Sequence, residues 1–419
     1  MLFRSAPPSP ADDPTRRSVW TYHGKPVPRS QSFRYLGIDL HETKGLALAT
    51  DRLRKSATNA TWAMHARCQR IGVGDFAFRS RLFSLFVEPI VTYCSGVWSP
   101  DLMTTLHDAT HNPLQTVQSD YLRHLGRLRR TTPTTILSKE TGSKPLATAW
   151  IKACTHAWNR AVTLRDCPLK RAFADDLALT HELARARRGG LACALAERTR
   201  SADARKTWSG AWLHVLWWLS QAPGDAPAAL RTYLDTVIAT AAQGADAIVG
   251  MSACLKTSTV LAAWEAAWEE SWCRLADRRD TAEHEYAQSF QRTDGSLPPY
   301  FSDTARYRRR DCARALMRLR CCSAPFAACA TTRRMHPDKP TRCTCCQMRK
   351  PETAHHIFYE CPAFASCRDD DRYRPLFAAL PTGADVRPLA DHPNQFLVAQ
   401  FTHAVFEKYD ALRPTPPDG

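Results

Sequence analysis

The stretch LALATDRLRKSATNATWAMHARCQRI, residues 46–71, carries the pattern that decides the fold class. Its apolar residues recur every third or fourth position, which places them on one face of an amphipathic helix. The glycine at position 72 then interrupts the pattern, so a single long helix is predicted to end there. The predicted buried stripe comprises Leu46, Ala49, Leu53, Ala57, Ala60, Met64, Cys68 and Ile71.

The helical period continues downstream of this stretch. Asn112-Pro113 is typical of a helix start, with asparagine as the N-cap and proline at the first helical position. Segments rich in Ala, Leu and Trp then extend to about residue 290. Three further stripes are predicted to be buried: Phe78, Leu82, Phe86 and Ile90 (kinked by Pro89); Leu114, Val117, Tyr121 and Leu125; Trp150, Ala153 and Trp158.

Upstream of residue 46 the composition changes. Residues 1–18 are rich in proline and charge and are expected to be disordered. Residues 19–40 contain β-forming runs separated by turn residues, which predicts a small N-terminal β-hairpin. The predicted fold class is therefore mainly α, with that hairpin, a helical bundle and connector, and a small zinc-stabilised C-terminal module.

The length and net charge of the chain restrict the number of domains and the classes of partner that are expected. The chain has 419 residues and carries 57 Lys and Arg against 41 Asp and Glu, a net charge of +16. Such a length accommodates two or three domains, and such a charge favours a polyanionic partner. No secretory signal and no apolar run of membrane-spanning length is evident, so we expect an intracellular protein without a membrane partner. Its 16 cysteines are then buried small residues or metal ligands rather than disulfides.

One cysteine and histidine cluster has the spacing of a metal site. Residues 343–361 follow the pattern C-x2-C-x9-H-x4-C, a closed set of three thiolates and one imidazole. This donor set is typical of one structural zinc ion, since a catalytic zinc keeps a position open. The pattern leaves two choices open, Cys345 or Cys346 and His355 or His356. The primary ligand prediction is Cys343, Cys346, His356 and Cys361.

Positive charge is concentrated just before and within this cluster. Residues 301–350 contain 13 Lys and Arg and three acidic residues. Together with Tyr300, Phe301 and Tyr307 as stacking groups, this predicts salt-sensitive contacts to the backbone of RNA or DNA. No motif for a small-molecule substrate is present, and the pattern does not indicate an oligomeric state. The predicted phosphate-contacting residues are Arg306, Arg308, Arg309, Arg310, Arg314, Arg318, Arg320, Arg333 and Arg334.

Three motifs, taken in order, resemble a known family. Phe33-Arg34-Tyr35-Leu36-Gly37 is similar to the F-K-Y-L-G box of LINE-type (non-LTR) retrotransposon reverse transcriptases. The run from Arg81 to Trp98 resembles the thumb pattern of that family, R-x-L-F…V-x-P-x-x-x-Y…V-W. Glu352 to Pro362 resembles its zinc motif, E-T-x-x-H-x-x-x-x-C-P. The resemblance covers residues 19–165 and 306–368.

The resemblance implies the C-terminal part of such an enzyme. Residues 19–165 would then be the end of the palm and the thumb, 166–295 a helical connector, 296–372 a basic zinc module and 373–419 a helical tail. The 33–37 box would position a primer end, and the protein would act in the nucleus. A stand-alone helical zinc-dependent RNA-binding protein and a non-functional remnant of a truncated element are the alternatives.

The resemblance also implies that the catalytic palm is missing. The catalytic aspartates of the family lie upstream of the F-K-Y-L-G box, and only 32 residues precede that box here. We therefore expect no polymerase activity from this chain alone. Phe173-Ala-Asp-Asp176 looks like a catalytic box, but it has helical spacing and follows the primer-grip motif. Asp369, Asp370, Asp371 and Asp385 are interpreted as a solvated acidic turn rather than a nuclease centre.

Overall fold

The structure is a computed structural model that describes most of the chain. The described residues are 21–22, 25–26, 31–35, 38–41, 46–185, 207–279, 281–292, 297–302, 310–329, 332–333, 341–377 and 386–412. The expected disorder of residues 1–18 lies outside them. Most described residues are helical, so the prediction of a mainly α fold is confirmed.

Strands occur near the N-terminus. β1 (Thr21–Tyr22) pairs antiparallel with β2 (Lys25–Pro26), and β3 (Ser32–Tyr35) pairs antiparallel with β4 (Ile38–His41). In the second hairpin Phe33 lies opposite Leu40. The hairpin prediction is therefore confirmed.

Helices follow the hairpins along the chain, as predicted from the spacing of the apolar residues. The N-cap prediction is confirmed: the Asn112 side-chain oxygen accepts hydrogen bonds from the backbone N–H groups of Leu114 and Gln115, at 3.0 and 2.9 Å. The helices are α1 Ala47–Arg70, α2 Phe76–Phe86, α3 Glu88–Thr92, α4 Ser95–Trp98, α5 Leu106–His111, α6 Pro113–Gly126, α7 Thr134–Thr141, α8 Ala147–Thr163, α9 Pro168–Arg185, α10 Trp208–Leu219, α11 Asp225–Ala242, α12 Ala245–Val249, α13 Thr257–Ala276, α14 Ala282–Ser289, α15 Pro299–Ser302, α16 Arg310–Arg320, α17 Ala365–Arg368, α18 Arg374–Phe377, α19 Arg387–Ala390 and α20 Gln395–Leu412.

The chain divides into two compact units, each made of separate segments. The first contains residues 1–59, 88–115 and 146–268, and the second contains 60–87, 116–145 and 269–419. These boundaries differ from the sequential domains expected at 165/166, 295/296 and 372/373. The reason is that helices far apart in sequence pack together, as α7 and α14 do in the second unit.

Tryptophan dominates the core of the first unit. Trp98 and Trp150 meet edge to face at 5.6 Å, and Trp158 meets Phe173 in the same way at 5.2 Å. The indole N–H of Trp158 donates to the Tyr233 hydroxyl at 2.8 Å, so this buried polar group is satisfied.

The Phe173-Ala-Asp-Asp176 run lies within helix α9, so a catalytic β-hairpin is not formed there. Asp175 is exposed, whereas Asp176 is half-buried. Its carboxylate accepts hydrogen bonds from the backbone N–H and the hydroxyl of Ser209, at 2.9 and 2.6 Å. Asp176 therefore fixes the first turn of α10.

In the second unit, α16 and α20 pack against each other. Gly126, the last residue of α6, lies beneath α16, because a Cβ atom there would meet the Met317 sulfur at 2.6 Å. Phe83 of α2 stacks on Tyr121 of α6 at 4.8 Å. This unit carries the cysteine cluster.

The face of the second helix that was predicted to be buried was wrong. Phe78 and Phe86 are 48% and 61% exposed, whereas Phe76 and Phe83 are buried. The segment also forms two helices, because α2 ends before Val87 and α3 begins at Glu88. Both faces of the segment are apolar, so periodicity could not choose between them.

Within the described part of the chain, no helix combines the length and the apolar character needed to cross a membrane.

Candidate metal centre

A tight hairpin positions the first pair of cysteines. The backbone N–H of Cys343 donates to the carbonyl of Lys350 at 2.8 Å, and Arg342 pairs with Pro351 in an antiparallel bridge. The chain therefore reverses direction between residues 343 and 350. This reversal directs Cys343 and Cys346 toward the same point.

A π-helical turn positions the second pair of ligands. Residues His356–Glu360 form this turn, in which the Cys361 N–H donates to the His356 carbonyl at 2.7 Å. A bond from residue i+5 to residue i brings positions 356 and 361 one above the other, and such turns are frequent at functional sites. The Thr353 hydroxyl accepts a hydrogen bond from the His356 N–H at 3.1 Å and fixes the start of the turn.

The four predicted ligands come together. One ligand atom from each of Cys343, Cys346, His356 and Cys361 lies within 4.8 Å of the other three. The sulfur atoms of Cys343 and Cys361 are 3.9 Å apart, and the Cys346 sulfur lies 3.3 Å from His356 Nε2. With zinc–sulfur and zinc–nitrogen bonds of about 2.3 and 2.05 Å, tetrahedral ligands would be separated by about 3.8 and 3.6 Å. The cluster can therefore hold a metal ion.

The same geometry resolves the two choices that the sequence left open. Cys345 groups only with Cys343 and Glu352. The Glu352 carboxylate already accepts hydrogen bonds from the Ala327 N–H and the Tyr409 hydroxyl, at 2.8 and 3.0 Å. His355 lies outside both groups. Cys346 and not Cys345 thus completes the four-residue set.

The histidine has the support that metal-bound histidines usually have. Its Nε2 points to the cluster, and its Nδ1 lies 3.2 Å from the Glu360 carboxylate. A carboxylate on the far nitrogen fixes the tautomer and the orientation of a ligating imidazole. The same carboxylate accepts a hydrogen bond from Lys350 at 2.9 Å. The Lys350 ammonium and then His356 keep the pKa of Glu360 below its usual value, so it stays ionised.

Two of the three thiols, those of Cys343 and Cys361, are buried and receive backbone hydrogen bonds. Burial raises the pKa of Cys361 to about 12, and the N–H of Ala363 opposes this shift. Burial also raises the pKa of Cys343, opposed by the N–H of Cys345. Backbone N–H groups directed at sulfur favour the thiolate, the form that binds metal. None of the described cysteines is in a disulfide.

Aromatic packing attaches the cluster to the second unit. Phe358, in the π-helical turn, meets Phe326 at 5.8 Å and Phe401 at 5.5 Å, edge to face in both cases. Phe364 stacks on Tyr409 of α20 at 6.3 Å. The cluster is therefore part of a larger core and not an isolated knuckle.

The predicted phosphate-binding arginines fall into three groups. Arg306, Arg308, Arg309 and Arg334 lie outside the described residues, and Arg310 is described only in its backbone. Arg333 is exposed. The remaining three, Arg314, Arg318 and Arg320, lie in the body of α16.

Arg320 is a correction to the predicted basic face. Its side chain is 1% exposed, and its Nε lies 2.6 Å from the carboxylate of Glu140, which is fully buried. The guanidinium also donates to the carbonyls of Phe290 and Ala390, at 2.7 and 3.3 Å. Arg320 therefore cannot contact a phosphate from this position. The expected stacking residues Tyr300 and Phe301 are also buried, and Tyr307 lies outside the described residues.

Arg314 and Arg318 are also turned inward. Arg314 is largely buried and lies 3.4 Å from the Asp311 carboxylate. The Arg318 guanidinium lies over the ring of Phe406 at 5.1 Å. Burial lowers the pKa of both side chains. Sequence reasoning missed this because the Leu125 carbonyl that accepts from Arg314 and the Phe406 ring beneath Arg318 belong to other helices.

The residues of the primer-grip-like box are only partly described. Phe33, Arg34 and Tyr35 lie on β3, whereas Leu36 and Gly37 are outside the described residues. Phe33 is exposed, and Arg34 forms an ion pair with Asp39 at 2.8 Å.

Comparisons with other proteins add no relative. No protein-family model, no curated protein and no solved structure matches this chain. The chemistry of the centre therefore follows from its own side chains.

Proposed function

We propose that the chain is a zinc-dependent nucleic-acid-binding protein, akin to the C-terminal part of a LINE-type reverse transcriptase. It holds template RNA or target DNA for a polymerase centre located elsewhere. The observation that carries this proposal is the closed set of three cysteines and one histidine beside a turn with exposed cations.

The donor set supports zinc over other common metals. Three thiolates and one imidazole suit zinc, whereas calcium and magnesium prefer oxygen ligands. The four residues form a closed set, which fits a structural ion. When bound, the ion supplies a cross-link between the two pairs of ligands. The residues Cys343, Cys346, His356 and Cys361 hold it, and Glu360 orients the histidine.

Exposed cations beside the cluster support nucleic-acid binding. Arg342 and Arg349 are exposed, and neither forms an ion pair with a described carboxylate. Lys350 lies beside them and shares the Glu360 carboxylate with His356. Cations presented on a turn contact phosphate groups without reading sequence, and such contacts weaken strongly with salt.

The family assignment rests on the order of the three motifs. Primer positioning by residues 33–37 and a nuclear location follow from that resemblance alone. A stand-alone RNA-binding protein would use the same zinc centre and the same cations. A non-functional remnant is less well supported, because the buried Arg320–Glu140 pair and the aromatic core are features of a specifically packed protein.

Fluorescence anisotropy of a labelled RNA hairpin, titrated with the full chain, tests the proposal. We expect tight binding that weakens from 50 to about 200 mM salt and is lost with a zinc chelator. Arg342→Ser and Arg349→Ser should each reduce the salt dependence by about one counterion. Arg171→Ser is the control, since Arg171 is an exposed arginine that pairs with Asp166. Binding that survives chelation unchanged would contradict the zinc-dependent part. The absence of binding by the zinc-loaded chain would overturn the whole proposal.

A further inference from the structure

A second cationic feature lies in the second unit, outside the residues of the metal centre. Arg79, on helix α2, is 1% exposed. Its guanidinium bonds to Nδ1 of His65, and its Nε meets no hydrogen-bond acceptor among the described residues. No described carboxylate lies within 4.0 Å of it. A buried charge without a counter-ion is costly, so an anion nearby would stabilise this arrangement.

Two histidines connect Arg79 to the surface. The rings of His65 and His124 meet at 4.1 Å, with their Nε2 atoms 2.8 Å apart. His65 is buried, whereas His124 is exposed. The Arg79 guanidinium donates to Nδ1 of His65, and Nε2 of the same ring lies 2.8 Å from both His124 Nε2 and the Gln69 amide nitrogen. The exposed imidazole of His124 is therefore linked to the buried guanidinium through one intervening ring.

Further arginines surround His124. Burial, followed by Arg79, Arg314 and Arg127, lowers the pKa of His124. The Arg127 side chain is 66% exposed and lies 3.5 Å from Asp311, which also pairs with Arg314. The guanidinium groups of these three arginines and the carboxylate of Asp311 sum to a net charge of +2. The surface at His124 and Arg127 is therefore strongly electropositive.

An exposed tryptophan borders this surface. Trp62, on helix α1, is 53% exposed and is the most exposed tryptophan of the described residues. Its ring meets the edge of His124 at 5.0 Å with an interplanar angle of 78°. Exposed aromatic rings next to cations are the usual platforms for unpaired bases, because every base has a face that can stack.

We propose that Trp62, His124, Arg127 and Arg79 form a binding site for one nucleotide of a single-stranded nucleic acid. The phosphodiester group lies at His124 and Arg127 in the field of Arg79, and the adjacent base stacks on Trp62. Bases inside a duplex already have both faces stacked, so only an unpaired nucleotide can use this site. This inference rests on the proposed nucleic-acid binding and specifies the form of nucleic acid that is recognised.

Anisotropy with the zinc-loaded full chain tests this site, using a labelled single-stranded RNA and a duplex of the same sequence. Trp62→Ala should weaken binding of the single strand about tenfold, the scale of one lost stacking contact, and that of the duplex less than about twofold. Trp62→Phe should restore most of the single-strand affinity. Trp217→Ala is the control, because Trp217 is a half-buried tryptophan of the first unit.

The cationic part of the site is tested by Arg127→Asn. Arg127 has a positive φ of 52°, a conformation that asparagine tolerates. This variant should lower the salt dependence of single-strand binding by about one counterion. Urea midpoints equal to that of the wild-type chain would show that both variants are folded, as expected for exposed side chains.

The possible outcomes separate this site from the proposed function. Wild-type binding together with unchanged single-strand affinity in both Trp62→Ala and Arg127→Asn would overturn the site alone. Equal losses for single strand and duplex would overturn the preference for unpaired nucleotides. A wild-type chain that binds neither RNA would overturn the proposed function and this site together.

Discussion

Replacing Arg320 by methionine should lower the free energy of unfolding of the second unit. It should leave the contacts of the chain with nucleic acid unchanged. The Glu140 carboxylate that binds Arg320 also accepts hydrogen bonds from the hydroxyls of Tyr286, at 2.8 Å, and Tyr300. Burial and the Glu140 charge raise the pKa of both tyrosines well above the usual value, so both remain donors. Arg320→Met leaves this carboxylate buried without its cation.

The magnitude follows from the burial of both partners. Breaking a buried ion pair by removing one side typically costs about 3–5 kcal/mol. Arg320→Met also leaves the Phe290 carbonyl without this donor, which keeps the expected loss in that range. Arg372→Met is the matched control, because the Arg372–Asp370 pair is close, at 2.6 Å, but its arginine is exposed. The control should cost less than about 1 kcal/mol.

Urea unfolding followed by circular dichroism measures the loss of stability. Hydrogen exchange of the α16 backbone amides should report the same destabilisation locally. Under conditions where Arg320→Met remains folded, the salt dependence of RNA binding should equal that of the wild type, since Arg320 is not at the surface. An unfolding free energy within 1 kcal/mol of the wild type, or a salt dependence reduced by one counterion, would refute this assignment.

Three further results are expected. Glu360→Gln should weaken zinc affinity by about 10- to 100-fold in a chelator competition, while Glu407→Gln, at another glutamate paired with a histidine one turn away, should not change it. Zinc removal should raise hydrogen exchange across residues 341–361 and leave the first unit protected, and uniform exchange in both states would contradict a structural ion. Asp176→Ala should cost about 0.5–2 kcal/mol, because the Ser209 N–H in the first turn of α10, a helix whose N-cap is Thr207, loses its acceptor. Equal effects of Asp176→Ala and of Asp175→Ala, at an exposed residue, would contradict this role.

Local patterns predicted much of the secondary structure. The stripe in residues 46–71 corresponds to α1, and the Asn112-Pro113 signal marks the start of α6. Both patterns depend on residues that are close together in the chain, so they can be recognised from the sequence alone. The buried face of α2 could not be predicted in this way, since Phe76 and Phe78 are both apolar and tertiary contacts select one of them.

The metal centre was predictable in its composition but not in its details. The spacing identified four ligands, whereas the choice of Cys346 over Cys345 depends on the direction of each side chain in the turn. The concentration of positive charge predicted the nucleic-acid-binding residues less well. Arg320 belongs to a basic run, but its partner Glu140 lies 180 residues earlier in the chain. A count of positive residues therefore cannot separate a phosphate contact from a buried ion pair.

The most direct test of the central claim is the metal content of the purified chain, combined with the absorption spectrum after cobalt substitution. We predict one zinc per chain and the charge-transfer and ligand-field bands of a tetrahedral cobalt site with three thiolates. Cys346→Ser should lose the tetrahedral spectrum, whereas Cys345→Ser should retain it, because only Cys346 belongs to the four-residue set. A chain without stoichiometric zinc, or a spectrum that depends on Cys345 instead, would contradict the account.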